Sequence, residues 1–183
     1  MNVRNVHERL LEADGDAVGR LIDSLGSRDD RLWPRNVWPA MRFDRPLGVG
    51  AVGGHGPIRY TLVECQPGRL VRFRFDAPRG FAGSHRFERT DVPGGVVLSH
   101  VLEMEAVGVA RLTWPLVFRP LHDALIEDCL ACAQRSLGLR AEVLPWSASV
   151  RFLRRVLGRG RTRPQRALFL GSSARHRGKP ELP

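Results

Sequence analysis

Three histidines and one tyrosine stand where their neighbours are apolar: His85, His100, His122 and Tyr60, the chain's single tyrosine. An imidazole titrates near neutrality and can take or give a proton, and a phenol can hydrogen-bond an oxygen that gains charge. Together they would suit proton abstraction beside a carbonyl, as in aldol cyclisation, dehydration or isomerisation, with His85, His100 and Tyr60 as the catalytic candidates. A carboxylate to orient either histidine is harder to find. Glu64 has inward parity but lies beside a hairpin turn. Three inward imidazoles also raise a metal site, yet a helix and a sheet facing across a cavity stand too far apart for their side chains to share one ion at about 2 Å. Neither metal nor cofactor is expected.

Alternation positions these groups. In 80–89 the polar set Ser84, Arg86 and Glu88 turns Gly83, His85 and Phe87 inward, and in 96–105 Ser99, Glu103 and Glu105 leave Leu98, His100, Leu102 and Met104 inside. Pairing Arg89 with Val96 sets His85 opposite His100, their Cβ atoms about 5 Å apart. In 58–65 Ile58, Tyr60 and Leu62 face inward, and in 70–75 Val71, Phe73 and Phe75 do, with Arg72 and Arg74 in water. Turn chemistry at Gln66-Pro67-Gly68-Arg69 and Asp91-Val92-Pro93-Gly94-Gly95 joins these strands into an antiparallel meander. Further strands are expected near 6–11, 41–45 and 48–52. The glycine-rich stretch around His55 reads as a tight turn between strands, since the Lys and Ser/Thr of a phosphate loop are missing.

Helical signals bracket the meander. Asp14 to Asp16 offer N-cap chemistry for a helix with Val18, Leu21, Ile22 and Leu25 on one face, and a second short helix is expected near Asp29–Trp33. After Trp114-Pro115, Pro120 is expected to divide a leading turn from a long helix over 121–137, which Gly138 ends. At 100° per residue Leu121, His122, Leu125, Ile126, Cys129, Leu130 and Ala133 share one half of that helix. Its dry face needs a partner, and the sheet is the one surface large enough. The fold class is therefore α+β: a curved antiparallel sheet wrapped around a long C-terminal helix, with two short helices after the first strand. Cys129 and Cys132 form a C-x-x-C in mid-helix, away from the helix N-terminus that would lower a thiol pKa, and read as small core residues.

The element order, with the stretches Gly54–Thr61, Gly83–Glu88, Leu98–Glu103 and Thr113–Asp123, resembles the SRPBCC superfamily: START lipid-transfer domains, birch-pollen-allergen-like proteins and polyketide cyclase/dehydratase-like proteins. The resemblance covers residues 2–138. It implies a helix-grip fold with a hydrophobic cavity between the sheet and the C-terminal helix, and it implies no particular activity. The expected occupant is a small hydrophobic molecule: a lipid, a polyketide-like ring or an isoprenoid. The expected wall is Tyr60, Phe73, Phe75, His85, Phe87, His100, Leu102, Met104, His122, Leu125 and Ile126. A polyketide cyclase/dehydratase-like enzyme is the alternative.

Net charge is +10 over 183 residues, but it is unevenly spread. Residues 139–183 hold ten Arg and one Lys against Glu142 and Glu181, a net of +9, which leaves the first 138 residues at +1. The chain thus reads as a nearly neutral helix-grip domain, 1–138, with a basic extension, 139–183. Trp146, Val150, Leu153 and Leu157 align on one face of an expected helix over 146–157, opposite arginines. That face would suit an anionic membrane surface, a protein partner or the chain's own domain, and the run beyond Gly158 reads as disordered. Arginines without a recognition motif point to no specific nucleic acid. With no signal-length apolar stretch and no span near the ~18 residues of a membrane helix, a cytoplasmic protein is expected.

Overall fold

The computed structural model describes residues 1–157, so the expectation of disorder beyond Gly158 lies outside the described residues. Seven strands form one antiparallel sheet: β1 (Asn2–Leu11), β2 (Arg42–Phe43), β3 (Val52–His55), β4 (Ile58–Gln66), β5 (Leu70–Ala77), β6 (Phe81–Val92) and β7 (Gly95–Ala106), in the order β1-β7-β6-β5-β4-β3-β2. Each strand from β2 onward pairs with the next, and β1 returns to close on β7 over ten residues.

Alternation fixes most faces as expected; Ser99, expected on the wet face, is buried there together with Val101. Tyr60, Leu62, Val71, Phe73, Phe87, Leu98, His100, Leu102 and Met104 are buried, while Arg59, Arg74, Glu103 and Glu105 are exposed. The β6–β7 register differs from the expected one by two residues. Val92 pairs with Gly95, so Pro93 and Gly94 alone make the turn and Arg89 lies opposite Leu98. Gly94, at φ +87°, occupies the position that a Pro-Gly turn reserves for glycine, which lets pairing run to the tip. A two-residue shift keeps every side chain on its face. It does change the partners: His85 lies opposite Leu102 and His100 opposite Phe87, so the two imidazoles are diagonal neighbours. A bulge between Leu62 and Glu64 turns Glu64 out of its inward parity, where it pairs with Arg72 at 2.8 Å.

Asp14 caps α1 (Gly15–Asp23) through the amides of Asp16 and Ala17, and Val18, Leu21 and Ile22 go into the core. Where a second short helix was expected, residues 24–38 run as turns. The Asp30 carboxylate accepts the amides of Gly26, Leu32 and Trp33, supplying from a side chain the bonds a helix would have made internally. β2 keeps two residues of the expected 41–45. The strand expected at 48–52 is displaced to β3, because Gly48 and Ala51 close a turn.

Pro120 does not divide the C-terminal helix. One helical path runs through α2 (Ala110–Thr113), a wide turn at Trp114–Phe118 and α3 (Arg119–Ser136). The Arg119 amide bonds the Trp114 carbonyl five residues back, so the chain absorbs Pro115 and Pro120 by widening instead of breaking. The buried face of α3 carries Leu125, Ile126, Cys129, Leu130 and Ala133. Ala131 and Gln134, on the other half of the wheel, are buried as well; Gln134 is covered by β1 and by the chain after 139, its side-chain oxygen accepting an Arg9 N–H and the Glu142 amide.

α4 (Ala148–Leu157) sits against α3 with Val150 buried, whereas Leu157 is exposed. The Arg154 guanidinium lies 4.1 Å from the ring centres of both Trp38 and Trp146. Both indole N–H groups donate to the Asp128 carboxylate, at 2.7 and 2.9 Å. Among the described residues no helix is long and apolar enough to cross a membrane.

Candidate functional site

The sheet and α3 bring the sequence candidates into one connected set of rings. Tyr60 on β4, Phe73 and Phe75 on β5 and His85 on β6 have ring centres 5.0–5.1 Å apart in the pairs Tyr60–Phe73, Tyr60–His85, Phe73–His85 and Phe75–His85. His100 on β7 follows at 5.3 Å from His85 and 4.7 Å from Phe87, and His122 on α3 lies 5.0 Å beyond His100. At the other end His55 packs between Tyr60, at 6.1 Å, and Trp33, at 4.7 Å. Leu125 and Ile126 join Tyr60, Phe73 and Phe87 in the main core cluster. Leu102 and Met104 belong to a smaller cluster with Phe81 and Trp114, and Phe75 bridges the two.

His85 Nδ1 and His100 Nε2 share a hydrogen bond of 3.2 Å, one ring donating and the other accepting. Burial pushes both pKa values well below the ordinary imidazole range, with the nearby His122 adding to the shift, so both rings are neutral at pH 7. Burial also drives the Tyr60 phenol well above its usual value, which keeps it a donor. Four buried polar atoms of this set lack a hydrogen-bond partner among the described residues: Tyr60 OH, His85 Nε2, His100 Nδ1 and His122 Nε2. Native interiors leave few such groups, and each calls for a partner.

The sequence reading missed His7. Its ring lies between α3 carboxylates, with Nδ1 2.7 Å from Glu127 Oε1 and Nε2 3.2 Å from Asp123 Oδ1. Burial alone would lower its pKa, and the hydrogen bonds to Asp123 and Glu127 more than offset this, so the net shift is upward. Asp123 also receives Asn5 Nδ2 at 2.9 Å and lies 3.4 Å from His122 Nδ1. Burial works against its negative charge, but contacts with His122 and His7 outweigh that and hold the carboxyl well below the usual range. His7 sits at an alternating position of β1, and only the β1–β7 pairing against α3 brings it to these acids. His7, His122 and Asp123 offer ligand atoms all within 4.8 Å of one another, a set that could hold a cation. As arranged, the raised pKa of His7 favours a proton there. The carboxylate absent from the sequence reading is therefore Asp123, and it serves His122 rather than His85 or His100.

Two pockets open elsewhere. One of about 380 Å³ is lined by Gly26, Ser27, Arg28, Asp30, Arg35, Ala40, Met41, Arg42 and Phe43. The other, about 190 Å³, lies where β1 meets Trp114, Pro115 and Arg119. Neither is lined by a residue of the expected wall. Between the sheet and α3 the aromatic and imidazole rings pack against one another, with neighbouring ring centres 4.7–5.3 Å apart.

A meander closed by β1, gripping one long helix across a buried polar–aromatic interior, is a helix-grip fold. No protein-family model matches the chain, and no curated protein matches it significantly in sequence. Solved structures do. CalU16 from Micromonospora echinospora aligns at 13% identity and TM-score 0.55 over 85% of this chain and 83% of that one. The di-domain ARO/CYC StfQ from the steffimycin biosynthetic pathway aligns at 13% identity and TM-score 0.57, over 75% of this chain and 51% of that one, so this chain spans about half of StfQ. Ara h 8.0201 aligns at 11% identity and TM-score 0.51 over 75% of this chain and 97% of that one. At such identities the likeness is one of fold.

Proposed function

We propose that the protein binds a small, largely apolar molecule bearing ring oxygens between the sheet and α3. One observation carries this reading: Tyr60 OH, His85 Nε2, His100 Nδ1 and His122 Nε2 are buried among aromatic rings without protein partners. A few polar atoms in an apolar wall are what orients a small ligand. Four of them suit a polyketide-like ring with keto or hydroxyl groups better than an alkyl chain, which would leave all four unsatisfied. Because the rings touch one another, entry requires side chains to part. Native mass spectrometry of protein from its own source tests this: a bound small-molecule mass is expected, lost in Phe73→Trp, which adds bulk to the interior. Apo mass alone, with no saturable binding of the neutral dye N-phenyl-1-naphthylamine, overturns the reading.

A second reading, a polyketide cyclase/dehydratase-like enzyme, is favoured by the Asp123–His122 contact. Asp123 can hold the Nδ1 proton of His122, leaving Nε2 as an inward acceptor. In this reading Nε2 takes the proton from a carbon beside a carbonyl, and the released electron pair moves onto the carbonyl oxygen, which the Tyr60 hydroxyl stabilises. His85 and His100, held neutral by burial, orient the substrate. Turnover of candidate polyketides that falls in His122→Ala, with an altered pH profile in Asp123→Asn, supports it; turnover unchanged in both overturns it.

A further inference from the structure

Nine-tenths of the basic excess lies in the extension, yet three arginines of the nearly neutral domain line the 380 Å³ pocket: Arg28, Arg35 and Arg42. Among the described residues none of the three has a carboxylate within ion-pair distance, which they share with Arg20, Arg31, Arg59 and Arg69, whereas Arg9, Arg45, Arg72, Arg74, Arg86 and Arg89 are paired. The pocket's one acid, Asp30, is buried and already accepts the amides of Gly26, Leu32 and Trp33. Arg35 donates to the Arg28 carbonyl, and its charge reaches the Asp30 carboxylate only from beyond ion-pair distance. Three exposed arginines bordering one concavity give it a positive character, and forked guanidinium donors match carboxylate, sulfonate and phosphate oxygens.

The pocket lining also holds apolar residues. Ala40, Met41 and Phe43 lie there, and the Phe43 ring stacks on Phe73, with centres 5.6 Å apart, and tilts against Tyr60 at 5.9 Å. One aromatic ring thus separates the arginine-lined pocket from the buried polar set. That ring lies between two bare backbones. A Cβ on Gly26 or on Gly53 would come within 2.5 Å of Phe43 ring carbons, so both glycines are needed for the ring to reach this position. β2, which carries Phe43, joins β3 at the sheet edge through two residue pairs, extended by Asp44, whose amide donates to the Val52 carbonyl and whose carboxylate accepts the Val52 amide. It is the shortest of the seven strands.

Resting on the interior-ligand reading above, we infer that this pocket is the mouth of the binding site and that its ligand is a planar apolar acid. Arg28, Arg35 and Arg42 hold the anionic group, and the ring system passes inward by displacing Phe43 from Phe73 and Tyr60. Two dyes with the same ring system separate the parts: 8-anilinonaphthalene-1-sulfonate, which carries the anion, and N-phenyl-1-naphthylamine, which lacks it. Titrated into the full chain by fluorescence, the sulfonate is expected to bind one to one and at least tenfold tighter than the amine. In Arg28→Gln/Arg35→Gln/Arg42→Gln its affinity should fall to that of the amine, while the amine itself is unaffected. Raising salt from 0.05 to 0.5 M, concentrations chosen on the order of weak and strong screening, should weaken only the sulfonate.

Phe43→Ala should speed association of both dyes in stopped flow. Near-ultraviolet dichroism and the melting curve check that the variants stay folded, and the three single Arg→Gln changes replace the triple if it does not. Equal affinities for the two dyes, or a sulfonate affinity indifferent to all the arginine changes, overturn the anionic mouth and leave the interior reading standing. Unaltered association rates in Phe43→Ala overturn the gate. Binding of neither dye overturns the mouth and the interior reading together.

Discussion

Acid should weaken this protein well before its carboxylates titrate, and the buried histidines set by how much. His85 and His100 have native pKa values pushed well below 6.5, first by burial. A depressed pKa gives stability that is complete above pH 6.5 and is lost as pH falls toward the native value, because the unfolded chain takes up protons that the folded one refuses. A histidine titrating at 6.5 only when unfolded costs little at pH 7 and on the order of 1 kcal/mol at pH 5.5. For His85 and His100 together the loss over that interval is on the order of 2 kcal/mol.

His55, pushed down to about 3 chiefly by burial, acts in the same direction, as does His122. His7 opposes them: its raised pKa gives stability that is full below pH 6.5 and disappears as pH rises through its native value. Asp123 is silent in this window, since its contribution is lost only below its unfolded value of 3.8. With a urea slope of about 2 kcal/mol per molar, the unfolding midpoint should drop by more than about 1 M between pH 7 and 5.5. Tryptophan fluorescence reads it, and His85→Phe should shrink the pH dependence by about one proton. A midpoint that does not move, or imidazole resonances of His85 and His100 titrating near 6.5, would refute the burial argument.

Truncating Phe73 or Phe87 to Ala should cost about 3–5 kcal/mol in chemical denaturation, because both are fully buried where the sheet meets α3. Asp30→Ala strands three amides and should destabilise by about 2–3 kcal/mol, with Asp30→Asn recovering part of it. Asp128→Ala unpairs two indoles at once; a loss of about 2 kcal/mol and a changed tryptophan emission are expected, and Arg154→Ala should cost about 1 kcal/mol through the same stack.

Period-two alternation was enough to put Tyr60, Phe73, His85, Phe87 and His100 on one face, since strand geometry sends alternate residues to opposite sides whatever their partners. The apolar arc of α3 followed in the same way from the 3.6-residue turn. Pairing distances were not legible to that degree. Whether a glycine-rich turn closes over two residues or six depends on backbone angles, and the answer made His85 and His100 diagonal neighbours rather than opposite ones. The bulge that turned Glu64 outward left no mark in the alternation. The wide turn that kept α3 continuous through Pro120 is a backbone adjustment that residue types do not announce.

What the sequence by itself determined was which side chains are dry, because the two periodicities are local and need no knowledge of neighbours. Only the tertiary structure decided which charges meet: His7 with Asp123 and Glu127, Arg9 with Glu127, and Asp128 with Trp38 and Trp146 are joined across 18 to 120 residues of chain. Side-chain hydrogen bonds act over about 3 Å, and no pattern along one strand or helix records which element will come to lie that close to it.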